Sequence, residues 1–110
     1  MSTAMHVLAA PDAVTHDVAL GSAHLVASRE MGAAVLMGDD VPPPEGGVYQ
    51  VWMMHADGSP APGPSFVPDG GEVMAVVEGD LTDVAELAVT LEPPDGDESM
   101  SSQVLVTIEL

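Results

Sequence analysis

Two sets of side chains in this 110-residue sequence are of types that hold metal ions. His6, His16, His24 and His55 offer imidazole, and the methionines offer thioether, a pairing that suits copper. Met5 adjoins His6, and on a strand Met53 and His55 would project from the same face. Neither spacing is a ligand motif of the kind zinc and copper sites usually show, and methionine is more often core filler. The second set is carboxylates, densest at Asp39-Asp40 and at Asp95-Gly96-Asp97-Glu98. Both clusters lack the Asp-x-Asp-x-Asp-Gly frame with a distal Glu that marks a calcium loop. There is no Gly-x-Ser-x-Gly elbow, and no histidine is placed by sequence beside a nucleophile. A phosphate cradle would need a lysine, and the chain has none. Spacing therefore assigns no catalytic residue, no cofactor and no metal site. A non-enzymatic binding or sensing module is expected.

Composition narrows the setting for these residues. Eighteen Asp and Glu face one basic residue, Arg29, for a net charge of -17. That field repels phosphate backbones and anionic lipid heads, so neither nucleic acid nor a membrane surface is an expected partner. The plainest reading of the acidity is solvation. With 46% hydrophobic residues the chain is nonetheless a folding one. Its length suits one domain, residues 1–110, that buries about two-thirds of its unfolded surface. The absence of cysteine removes disulfides and thiolate chemistry. No apolar run is long enough to span a membrane, and the first residues have no signal-peptide pattern.

The elements that must carry these residues read as strands. Leu87, Val89 and Leu91 alternate with Glu86, Ala88, Thr90 and Glu92, which is the pattern of a half-buried strand. At the C-terminus Val104, Val106, Ile108 and Leu110 alternate in the same way with Gln103, Leu105, Thr107 and Glu109. Further strands are expected at Met5 to Ala9, Ala13 to Leu20, His24 to Ser28, Ala33 to Met37, Val48 to Met54 and Glu72 to Glu78. The Asp-Gly pairs at 57-58, 69-70 and 95-96 mark turns. Thr82 to Glu86 reads as a helical turn capped by Thr82 or Asp80. The proline-dense segments Asp39 to Gly47 and Ser59 to Pro64 read as rigid surface connectors. Seven to eight short strands at this spacing predict an all-β fold, an antiparallel immunoglobulin-like sandwich.

Val48 to His55 departs from simple alternation, because both of its faces are apolar. Tyr49, Val51 and Met53 share one face, while Val48, Trp52 and Met54 share the other with Gln50. A sandwich covers one face of a strand, so the second needs a loop or a partner. Cover by a proline-rich loop is the plain expectation. A homodimer or ligand surface is the sharper one, since aromatic residues and methionine are favoured at interface cores.

The order of these pieces carries a resemblance. Tyr49-Gln50-Val51-Trp52-Met53-Met54, Asp57-Gly58-Ser59-Pro60, Phe66, Ala88-Val89-Thr90-Leu91-Glu92-Pro93 and the closing Val104 to Leu110 resemble the C-terminal domain of RskA-type anti-sigma factors. The similarity spans residues 20 to 110, and its specific part is the Tyr-Gln-x-Trp and Val-Thr-x-Glu-Pro pair. It implies the extracytoplasmic part of a membrane-anchored regulator, whose cytoplasmic domain holds a sigma factor until a site-1-type protease starts its release. This stretch has no sigma-binding helices, and Pro94-Asp95-Gly96-Asp97 stands where the family runs on through Gly-Gly and Pro-Thr. No catalytic residue transfers. Tyr49, Gln50, Trp52, Met54, Thr90, Glu92 and Pro93 are the motif positions, read as fold-defining first and as an interaction surface second. A secreted or periplasmic copper-binding β-domain is the alternative.

Overall fold

β-branched and aliphatic residues alternating with polar ones favour a pleated, half-buried surface, and strands dominate the computed structural model. The structure describes residues 3–44, 46–78, 81, 83–93 and 104–110. Among them one helix, α1 (Thr3–Leu8), precedes eight strands: β1 (Val14–Asp17), β2 (His24–Ser28), β3 (Ala33–Gly38), β4 (Val48–His55), β5 (Pro60–Phe66), β6 (Val73–Glu78), β7 (Val84–Glu92) and β8 (Val104–Glu109). They form two four-stranded antiparallel sheets, ordered β1-β2-β3-β6 and β5-β4-β7-β8. The chain crosses between the sheets after β3, β5 and β6. The pairs β3–β6 and β4–β7 are therefore closed across those crossings, as in an immunoglobulin-like sandwich.

The alternation read from the sequence places the core. Leu25, Leu36 and Val77 of the first sheet meet Tyr49, Val51, Leu87 and Val89 of the second in one buried cluster. At β8 the alternation breaks. The ladder runs Val89↔Val106 and then Thr90↔Val104, so Leu105 is an extra residue. A bulge moves every residue beyond it to the other face. Ile108 is buried as expected, whereas Val104 joins Thr90 on the outer side and is exposed.

Three expectations are corrected. Met5 to Ala9 is not a strand: α1 occupies Thr3–Leu8 and sets Ala4 and Val7, one turn apart, on Val26, Ala33 and Val35. Short apolar runs fit either period, and here the deciding factor is an apolar outer face of the first sheet that needs cover. Ser59 to Pro64 is not a free connector, because β5 begins at Pro60. Pro60, Pro62 and Pro64 recur at every second position, so their missing N–H groups fall on one edge of the strand. That is tolerable where β5 pairs only with β4 at the sheet edge. Finally, Val84 to Glu86 belong to β7 and not to a helical turn, while Thr82 and Asp80 lie outside the described residues.

Two of the three Asp-Gly turns fall among the described residues. Gly58 and Gly70 both have positive φ, and Asp69 and Glu72 exchange two backbone hydrogen bonds around Gly70-Gly71, closing a tight hairpin before β6. The pair at 95-96 lies outside the described residues. Asp39 to Pro44 forms no strand as it carries the chain from one sheet to the other. It is anchored by the buried Val41, whose N–H donates to the Gly71 carbonyl.

Candidate functional site

The two halves of the sequence motif lie on the adjacent strands β4 and β7. Register pairs Val48 with Glu92, Gln50 with Thr90, Trp52 with Ala88 and Met54 with Glu86. Alternation then brings Gln50, Trp52, Met54, Thr90 and Glu92 to the outer face of the second sheet. They are joined there by a chain of hydrogen bonds. The Trp52 indole N–H donates to Thr90 Oγ1 at 2.9 Å, and the Thr90 hydroxyl donates to Glu92 Oε2 at 2.6 Å. A hydroxyl has one proton, so giving it to the carboxylate leaves the oxygen's lone pairs for the indole. The short second bond is in the range of a charge-assisted contact.

All three side chains are buried within the single chain: Trp52 is 2% exposed, Thr90 0% and Glu92 3%. A buried carboxylate is costly unless it is hydrogen-bonded, which the threonine two residues earlier provides. Backbone packing here is close as well. A Cβ on Gly47 would lie 2.3 Å from the Glu92 carbonyl oxygen, so only glycine lets the start of β4 approach the end of β7.

The other motif residues fix the neighbouring elements. Tyr49 points into the core, its ring 5.2 Å from that of Phe66 and tilted by 33°. Its phenol donates to the Pro42 carbonyl at 2.6 Å and so ties the proline-rich crossing to β4, and burial pushes its pKa up. Gln50 sits where the β4–β5 register skips from Ser65 to Pro62, and its amide donates to the Gly63 carbonyl at 2.6 Å within that bulge. Met54 is half-buried near the end of β4, and Pro93 is exposed just past β7.

The metal candidates named from sequence spacing do not gather. His6 is on α1, His16 on β1, His24 on β2 and His55 on β4. No group of three His, Asp or Glu side chains is placed to hold an ion among the described residues. Asp57 instead caps its own turn: the Ser59 hydroxyl and backbone N–H both donate to Oδ1, at 2.7 and 2.9 Å. These bonds, with a smaller contribution from His55, lower the Asp57 pKa. Arg29, the sole cation, donates to the main-chain carbonyls of Leu81 and Val84, so it links the turn after β2 to the start of β7.

Sequence spacing also missed one juxtaposition. An open cleft of about 700 Å³ lies on the outer face of the first sheet, and His24, Met37 and Met74 all line it. They come from β2, β3 and β6, and strand register is the only signal that could have brought them together.

The fold and the motif geometry together define a class: a small two-sheet β-domain whose distinguishing residues are built into its framework. The C-terminal domain family of anti-sigma-K factor RskA matches residues 1–107, and the chain belongs to that family. The match takes in α1 and β1, ahead of the segment that carries the motif. Among curated proteins, the anti-sigma-K factor RskA of Mycolicibacterium vanbaalenii is 38% identical over 113 residues, covering 99% of this chain and 48% of that protein. The namesake in Mycobacterium ulcerans is 36% identical, with 99% and 48% covered, and that in Mycobacterium sp. strain KMS is 34% identical, with 99% and 46% covered. The chain thus spans about half the length of the curated relatives it matches. No solved structure matches it significantly. No helix among the described residues is long and apolar enough to cross a membrane.

Proposed function

We propose that this chain is the extracytoplasmic regulatory domain of a membrane-anchored anti-sigma factor, and that its folded state limits protease access to the segment joining it to the membrane. The observation that carries this reading is the family match over residues 1–107 together with the half-length coverage of the relatives. The remaining half of such a protein would supply the sigma-binding part and the anchor. On this reading the protein partners are a sigma factor, reached through the cytoplasmic part, and a site-1-type protease. The motif residues Tyr49, Gln50, Trp52, Met54, Thr90, Glu92 and Pro93 act by holding β4, β5 and β7 together, so they set the stability that gates cleavage.

The test is made in cells on the full-length protein that contains this domain, with a reporter of sigma-dependent transcription. Trp52→Ala should loosen the sandwich, increase the cleaved form on an immunoblot and raise reporter output. An exposed substitution such as Val14→Thr should do neither. Unchanged cleavage and output for Trp52→Ala, in a domain shown to be destabilised, would overturn the gating role. Protease digestion of intact spheroplasts tests the side of the membrane, because a tag on this domain that survives digestion until lysis contradicts the extracytoplasmic placement.

A further inference from the structure

The outer face of the first sheet is divided between two surfaces. α1 closes one end over Val26, Ala33 and Val35. The other end is the open cleft of about 700 Å³, and one row of side chains crosses it. His24 on β2 is directly opposite Met37 on β3, and Met37 is directly opposite Met74 on β6. We propose that this row is a binding site for one soft monovalent metal ion, Cu(I), held by the His24 imidazole and the Met37 and Met74 thioethers.

The donor set matches that ion. Thioether and imidazole select Cu(I), and with no cysteine in the chain there is no thiolate to compete for it. Spacing permits convergence. Neighbouring strands lie about 4.8 Å apart, so the outer two residues flank Met37 across roughly 10 Å. Methionine has three rotatable bonds with which to lean inward over that distance. Core filling does not account for Met74, which is 61% exposed on an edge strand. Met37 is half-buried against the α1 patch and would supply the fixed ligand of the three.

Electrostatics favours a cation at this place. Asp39, Asp69 and Glu72 line the same cleft and add their field to that of a chain with net charge -17. Carboxylate oxygens suit harder ions, and Asp39 already accepts the Ser22 hydroxyl at 2.6 Å. Since no three-membered His and carboxylate group is placed for an ion among the described residues, zinc and calcium lack a matching set. The site goes beyond the regulatory role and does not depend on it, because metal binding is a property of this domain alone.

The test titrates the chain with Cu(I) under anaerobic conditions against a coloured Cu(I) chelator, and with Ag(I) while methionine methyl resonances are followed by NMR. The expected result is one ion per chain, with shifts confined to the Met37 and Met74 methyls and the His24 ring. Leucine is a near-isosteric replacement, so the double variant Met37→Leu/Met74→Leu should fold and bind on the order of 100-fold more weakly. Met5→Leu, beside the other histidine–methionine pair, should bind as the parent does. Failure to retain Cu(I) against the chelator would overturn the proposal. So would undiminished binding by the double variant, or shifts falling on Met5 or Met53.

Discussion

At the residue level, Trp52, Thr90 and Glu92 raise the question of why polar groups persist where an apolar pair would pack as well. Their hydrogen bonds support each other, since a Thr90 hydroxyl that gives its proton to Glu92 keeps its lone pairs free to accept from the indole. Thr90→Val keeps the shape, but it removes the acceptor of a buried indole N–H and one donor to a buried carboxylate. A cost of about 1–3 kcal/mol is expected in urea unfolding. Thr90→Ser loses one methyl and keeps the hydroxyl, so it should cost about 0.8 kcal/mol. Trp52 is the sole tryptophan, and its fluorescence reports on both variants directly. No loss for valine beside a clear loss for serine would show that the methyl packing, and not the hydroxyl, holds the two strands. The motif spacing in the sequence marked these residues, but not their linkage, because Trp52 and Thr90 are 38 positions apart.

At the level of elements, a second polar cluster fastens the segment after α1 to the turn between β2 and β3. The fully buried Ser28 donates its hydroxyl to Asp12 Oδ1 at 2.6 Å, the Glu30 N–H donates to Asp12 Oδ2 at 3.0 Å, and the Met31 N–H donates to Ser28 Oγ at 3.2 Å. The Ser28 bond first, and the backbone bond from Glu30 second, hold the Asp12 carboxyl below a free aspartate's 3.8. A pKa lowered by folding adds stability above the unfolded value and loses it as the pH falls through the folded one. Asp12→Asn should therefore lower the Tm at neutral pH, and the gap to the parent should close in acid below about pH 3.8. A gap that stays constant across that range would assign the effect to packing. The same region shows what the sequence could and could not convey. β6 was legible because its alternation matched a one-sided burial, whereas β2, β3 and β7, buried on both faces over much of their length, were legible as short apolar runs bounded by turn residues. α1 was not legible, since whether Met5 to Ala9 coils or extends depends on the apolar patch at Val26, Ala33 and Val35, which exists only once the first sheet has formed. β5 was hidden by its prolines, which are acceptable only at an edge, and edge position is a property of topology. The His24, Met37 and Met74 row was illegible for a related reason: each residue is unremarkable on its own strand, and register alone aligns them.

For the whole molecule, the charge distribution sets how the fold responds to its surroundings. Eighteen carboxylates and one arginine leave a net charge of -17, and that arginine is turned onto the carbonyls of Leu81 and Val84. The folded state confines the like charges that the unfolded chain can spread apart, so self-repulsion works against folding. Raising the salt concentration from about 0.01 M to about 1 M shortens the screening length from about 30 Å to about 3 Å, less than most separations between surface charges. The Tm should then rise by several degrees in sodium chloride, with the larger part of the rise at the low end, where the screening length changes most. Ionic screening predicts that potassium chloride gives the same curve. An uncharged osmolyte such as sucrose acts through exclusion from the surface instead, without that early saturation. A Tm flat in salt would mean that the unfolded chain is repelled as strongly as the folded one. The acidity would then serve solubility and the attraction of cations without any cost to the fold.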